Sequence, residues 1–195
     1  MITADAVKAL REKTGLGMME CKMALTETGG DAVKAVDYLR KKGHDTAQKK
    51  AGRATKEGRI ASYIHNGKIG VMVEIQCETD FVAKNDVFQQ LLKDVAMHVV
   101  ACSPLAVARA EIPAALVEKE KEIYRAQVDG KKPAPIIEKI VEGKLGKFYA
   151  EKCLLEQPFA KDPTRKVEDV LKEVIQKTGE NIQIRRFVRL ELGGE

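Results

Sequence analysis

The sequence predicts an α+β fold: three short helices, then a core built from a small antiparallel sheet with helices. Three observations carry this. Apolar spacing is near 3.6 in the first third, switches to 2 across Arg59–Cys77, and returns to 3.6 beyond Asp86. Asn66-Gly67, the strongest short hairpin signal, sits between the two β-rich runs. The chain finishes in an alternating run, Ile182 to Leu192.

Taken in order, Thr3 is a good N-cap, and Val7 and Leu10 space a helix that ends near Thr14-Gly15. Gly15-Leu16-Gly17 is a tight loop. A second helix offers Met18, Cys21, Met23 (or the stem of Lys22) and Leu25 for packing, and Thr28-Gly29-Gly30-Asp31 stops it and caps the third. That third helix carries Val33, Val36, Tyr38 and Leu39, and it is expected to end at Lys42-Gly43. Residues 1–44 thus read as a small helical domain with a thin core, of a size that commonly lives by docking. Met18 and Met19, directly after a glycine loop, suit a docking surface because methionine is adaptable; core packing is the alternative. Residues 45–57 read as a basic helical linker, and 58–195 as the α+β core and dimerisation domain.

The core opens with the hairpin, Arg59–His65 and Lys68–Cys77. Next comes the stretch around which the chain is organised: Glu78-Thr79-Asp80-Phe81-Val82-Ala83-Lys84-Asn85-Asp86. Thr79 or Asp80 can cap a helix, and Asn85 can cap another a turn and a half later. The spacing predicts a short helical turn, a break, and a main helix from about Asp86 to Cys102 carrying Phe88, Leu91, Leu92, Val95 and Val99. Phe81 and Val82 then sit on a corner. There Phe81 either closes the end of the core as a hydrophobic staple or points outward.

Further helices are predicted over Ala114 to about Val128, Pro135 to Glu151 (with Ile136, Ile140 and Leu145) and Val167 to Lys177, with a break at Asp129–Pro133. Gly143-Lys144-Leu145-Gly146-Lys147 reads as a flexible surface turn, and Gln157-Pro158-Phe159 with Asp162-Pro163 as an irregular connection. In the final strand Ile182, Ile184, Val188, Leu190 and Leu192 share one parity, which predicts one buried face. Arg185, Phe187, Arg189 and Glu191 take the other.

Composition bounds the function. Apolar residues make up 44% and charged residues 32%, ordinary for a soluble globular protein. No signal-peptide pattern and no membrane-length apolar run occur, so the chain reads as cytoplasmic, with no membrane partner. Cys21, Cys77, Cys102 and Cys153 lie far apart, each among apolar neighbours, and read as buried thiols. They do not cluster with His44, His65 or His98, so neither a metal nor a cofactor is expected. Residues 1–56 hold 12 Lys/Arg against 7 Asp/Glu, which is the whole net charge of +5. That excess, around Arg40-Lys41-Lys42 and Lys49-Lys50, is either a solvated helix face or a surface for nucleic acid or an acidic protein. No phosphate-binding glycine loop, dinucleotide fingerprint or nucleophile elbow is present. Glu78 and Asp80 lack a neighbouring His to complete an acid–base site.

Several of these stretches resemble one family, bacterial elongation factor Ts. The resemblance lies in Leu10–Lys22, Lys34–Gly43, Glu78–Asn85, Glu138–Leu145, Leu155–Phe159 and Gly179–Phe187, in the family's order along essentially the whole chain. It implies a ubiquitin-associated-like N-terminal domain and a single copy of a core that longer members duplicate. It further implies a non-catalytic guanine-nucleotide exchange factor for elongation factor Tu. In that role Thr79, Asp80, Phe81 and Val82 are pushed into the partner's nucleotide-binding domain, disturb its magnesium site and loosen GDP, while Met18 and Met19 belong to the docking module. With only one core copy per chain, a homodimer is expected, without a covalent link in the last strand. Specific nucleic-acid binding is the competing class, and a ubiquitin-like adaptor module a third.

Overall fold

The computed structural model describes residues 2–128 and 133–194. It divides into two compact units. The first comprises Met1–Arg59, Ile75–Leu92 and Asp169–Gln183; the second comprises Ile60–Glu74, Lys93–Glu168 and Ile184–Glu195.

The first unit begins with α1 (Ala4–Thr14), α2 (Met18–Glu27) and α3 (Ala32–Lys50). The Thr3 hydroxyl accepts the Ala6 amide at 3.3 Å, and Gly15, at φ 70°, turns the chain out of α1. Asp31 caps α3 by accepting the amides of Val33 and Lys34 at 3.0 and 3.1 Å. The core of the three helices is Val7, Leu10, Leu16, Cys21, Ala24, Leu25, Ala35 and Leu39. Met23 and Val33, expected to pack, are exposed instead, and Ala24 takes the buried position on α2.

The third helix does not end at Lys42-Gly43. Its buried residues, Ala35, Leu39, Gly43 and Ala47, recur every four positions, so a single narrow stripe continues to the end of the helix. At Gly43 the helix lies close to α8 (Val167–Thr178): a Cβ there would lie 2.5 Å from the Gln176 amide oxygen, so that side chain would have to shift. A glycine that reads as a stop in sequence is a close-approach point in the fold.

The main sheet has the strand order β1–β2–β5, from β1 (Glu57–His65), β2 (Ile69–Cys77) and β5 (Ile182–Glu191). Asn66 and Gly67, at φ 50° and 66°, form the tight turn the dipeptide predicted. Strand β2 buries Val71, Val73, Ile75 and Cys77 on one face. The Leu192 amide donates to the Lys68 carbonyl and Arg186 pairs with Glu74, so β2 and β5 run antiparallel.

The second unit carries most of α5 (Asp86–Cys102), then α6 (Ala114–Ala126) and α7 (Ala134–Lys152). Ala106, Ile112, Leu145, Phe148 and Cys153 form a core here. The predicted break at Asp129–Pro133 falls, but for Pro133, outside the described residues. Gly143 and Gly146 lie inside α7 rather than in a turn, and Val141 is buried where Ile136 was expected; Ile136 is exposed. The stretch read as an irregular connection is a hairpin, β3 (Pro158–Phe159) with β4 (Asp162–Lys166), too short and too rich in Pro and polar residues to alternate visibly.

The last strand is the clearest departure. Ile182 and Ile184 are buried as predicted, but Val188 and Leu190 are 55% and 70% exposed, and Leu192 beyond the strand is exposed too. Alternation identifies an apolar face without identifying its cover, and no described part of the chain covers this end.

Candidate functional site

The corner after β2 is assembled from caps. The Thr79 hydroxyl accepts the Val82 amide at 3.4 Å and starts α4 (Asp80–Lys84). Asn85 returns to an extended conformation, at φ −68° and ψ 140°, and breaks the helix. Its side chain then accepts the Val87 amide at 2.8 Å and starts α5. The C-terminal side of the five-residue helix is held by two donors on one oxygen: Arg59 Nε and Gln89 Nε2 reach the Ala83 carbonyl at 3.1 and 2.6 Å.

On this corner Phe81 is 81% exposed and Asp80 is exposed beside it, while Val82 is half-buried and Ala83 is buried. The staple alternative fails, because the ring does not enter the core of this chain. Asp80 pairs with Lys84 at 2.7 Å, and that hydrogen bond holds its carboxyl below the usual carboxylate range. An ion pair this exposed contributes little to stability. Nearby Cys77 is buried, donates to the Thr79 carbonyl at 3.1 Å, and is pushed by burial up to about 11, so it stays a thiol at neutral pH.

A set of groups on the other side of the corner was not legible as a site. Glu180, in the loop after α8, accepts hydrogen bonds from the amides of Glu78 and Thr79 and from the Thr79 hydroxyl, at 3.1, 3.0 and 2.6 Å. The Glu78 carboxylate returns the contact by accepting the Asn181 amide at 2.7 Å. Asn181 is buried, and its side chain donates to the Arg53 carbonyl at 2.8 Å. About a hundred residues separate the two halves of this arrangement, so no local pattern joins them.

Met18 and Met19 lead α2 and are 47% and 73% exposed, Met19 the more so; neither joins the buried core of the helices. The basic stretch is partly engaged: the Lys50 ammonium donates to the Gly179 carbonyl, and Arg53 lies 3.5 Å from Glu78. All four cysteines are free; Cys102 is half-buried rather than buried. Among the described residues no group of three or more His, Cys, Asp or Glu side chains is placed to hold a metal ion. No described helix is long and apolar enough to cross a membrane.

Comparison with known proteins gives one consistent answer. The pattern of the family described as Elongation factor TS matches residues 36–194. Elongation factor Ts of Thermodesulfovibrio yellowstonii is 60% identical over 192 residues, covering 98% of this chain and 96% of that protein. Elongation factor Ts of Geobacter sulfurreducens is 60% identical over 194 residues, with 98% and 90% covered. That of Fervidobacterium nodosum is 58% identical over 194 residues, with 98% of each covered. A match of this extent, along nearly the whole chain, places the protein among the translation elongation factors: it belongs to the elongation factor Ts family.

Proposed function

We propose that this chain is a guanine-nucleotide exchange factor that binds elongation factor Tu–GDP and promotes release of GDP by disturbing its magnesium and phosphate site. The observation that carries the reading is Phe81, a large apolar ring standing 81% exposed on a doubly capped corner. An aromatic left out of its own core leaves its burial energy available to a partner. Burying a Phe contributes about 1.5–3 kcal/mol, or roughly tenfold to over a hundredfold in an equilibrium constant. Thr79 holds the helix start, Asp80 adds a carboxylate, and Val82 follows the ring, half-buried. No bond to substrate is made or broken and no cofactor is needed, because exchange is a coupling between two binding events. Coupling is reciprocal, so GDP must weaken the binding of this chain by the factor with which the chain weakens GDP.

Met18 and Met19 supply docking affinity in this scheme, through adaptable side chains on a module with a small core of its own. The chain acts in the cytoplasm, where its partner works. It acts as a homodimer, and what supports this is the bare end of the sheet. Arg186 and Glu74 pair at 2.7 Å on one face, so alternation sets Met72, Val188 and Leu190 on that same face, all exposed. The opposite parity, with Phe187 half-buried, offers less apolar surface. Specific nucleic-acid binding is the weaker reading, since Lys50 and Arg53 already have partners within the chain.

The test is release of labelled GDP from elongation factor Tu with and without the chain. Stimulated release supports the reading; release that does not respond to the chain at any concentration overturns it.

A further inference from the structure

The corner that carries Phe81 is held from outside itself. A helix of five residues has no stability of its own, because nucleation is unfavourable and few hydrogen bonds repay it. Its first turn depends on the Thr79 hydroxyl, whose bond to the Val82 amide is long, at 3.4 Å. That hydroxyl has a single proton, and the proton goes to Glu180 over 2.6 Å. Glu180 therefore fixes the rotation of the hydroxyl and leaves a lone pair facing Val82. Its second oxygen accepts the two successive amides of Glu78 and Thr79, so the backbone leading into α4 is gripped at two points by one carboxylate. Bonds of this kind, amide to ionised carboxylate, are about twice as strong as neutral ones.

The grip is anchored in turn. Gly179, at φ 74°, ends α8 and turns the chain so that Glu180 faces the corner. Asn181, the next residue, donates its amide to Glu78 at 2.7 Å and its side chain to the Arg53 carbonyl at 2.8 Å. Two carboxylates thus cross between the same two segments in opposite directions, and a buried Asn ties the second segment to the chain following α3.

We infer that Glu180 is a positioning residue for nucleotide exchange: it holds the Thr79 cap and the backbone entering α4 so that Phe81 meets the partner in a fixed direction. The inference rests on the exchange reading and adds to it a residue that acts through Thr79 and Phe81. The physical need is rigidity. A side chain that is to displace groups in another protein must not swing away when it meets resistance, and ordering it beforehand removes a cost otherwise met on binding. Glu180 works through Phe81, so its loss matters only where the ring is present.

That dependence gives the test, a double-mutant cycle on stimulated GDP release from elongation factor Tu. Four proteins are compared at saturating concentration: the unaltered chain, Glu180→Ala, Phe81→Ala and the double variant. The expected result is about a tenfold lower saturating rate for Glu180→Ala, the factor associated with one charge-assisted hydrogen bond, and a double variant no slower than Phe81→Ala alone. Equal slowing by Glu180→Ala in both backgrounds overturns the inference. So does a rise in the half-saturating concentration with the saturating rate unchanged. In either case the stimulated rate of the unaltered chain leaves the exchange reading standing. If the unaltered chain stimulates no release, the exchange reading fails and the inference fails with it. Should Glu180→Ala melt below the assay temperature, the cycle is run with Glu180→Gln. That variant keeps the shape but turns one acceptor into a donor, and the same criterion applies to a smaller effect of about threefold.

Discussion

The imidazole of His98 and the side-chain amide of Gln157 meet at 2.9 Å in the second unit, and each fixes the chemistry of the other. Gln157 spends its NH2 group on the carbonyls of Cys102 and Glu151, so its oxygen must accept from His98 Nε2. The Ala160 amide donates to His98 Nδ1 at 3.1 Å, so that nitrogen must be bare. A buried His in this bonding pattern is neutral, and protonation at Nδ1 would set two N–H groups against each other.

Burial accordingly pushes His98 below the usual histidine range, with the bond from Gln157 opposing in part. The unfolded chain takes up a proton near pH 6.5 while the folded chain resists it. The stability due to neutral His98 is therefore complete above about pH 6.5 and is lost as pH falls below it, with a limiting slope of about 1.4 kcal/mol per pH unit. Melting curves between pH 7.5 and 5 should show this decline. His98→Gln should be less stable at pH 7.5 and flatter below 6.5; a slope as steep as that of the unaltered protein would remove His98 as its source.

For Phe81 the expectation separates folding from exchange. Phe81→Ala should melt within about 0.5 kcal/mol of the unaltered protein, as exposed substitutions do, while stimulated GDP release falls about ten- to a hundredfold. Met19→Ala should raise the concentration needed for half-maximal exchange and leave the saturating rate alone. A marked loss of melting temperature for Phe81→Ala, with exchange per folded molecule intact, would assign the ring to the chain's own core.

Two glycines of the hairpin should respond oppositely. At Gly58, φ is 149° and a Cβ would lie 2.2 Å from the Ile75 carbonyl oxygen and 2.7 Å from the Gln76 Cα, both backbone atoms. Gly58→Ala should cost at least about 2 kcal/mol in chemical denaturation, from strain and overpacking together. Gly70 has no heavy atom within 4 Å of a Cβ and no positive φ. Gly70→Ala should be neutral or stabilise by up to about 1 kcal/mol, because it restricts the unfolded chain.

Assembly is checked by sedimentation at micromolar concentration. The protein should run as a dimer that reductant leaves unchanged, since its four cysteines are free and none lies in the last strand. Leu190→Lys should give a folded monomer. A monomeric unaltered protein, or a dimer that this charge does not disturb, would direct attention away from the Met72–Val188–Leu190 face.

Much of this was legible because the signals are local. Asn66-Gly67 dictates a turn by backbone preference alone, and Thr79 and Asn85 announce two helix starts within seven residues. What escaped reading depends on partners remote in sequence. Gly43 looks like a terminator until Gln176 is seen against it. Val188 and Leu190 alternate like core residues although nothing described lies over them. Glu180 is one acidic residue among 29 until its three donors appear. The resemblance of Gly179–Phe187 to the family was the available hint that this loop matters, and it carried no indication of how.

Because α3 runs unbroken from Ala32 to Lys50, the methionine-bearing helix α2 and the segment that Asn181 ties down are spaced by a ruler, not a tether. Nineteen residues at 1.5 Å each make it about 28 Å long. One residue inserted near Gly43 would advance everything upstream by about 1.5 Å and rotate it by about 100°. Loops elsewhere can change length and leave geometry intact. Here length and bearing are set by the same count, so the direction in which Met18 and Met19 face can be changed only in steps that respect the helical turn.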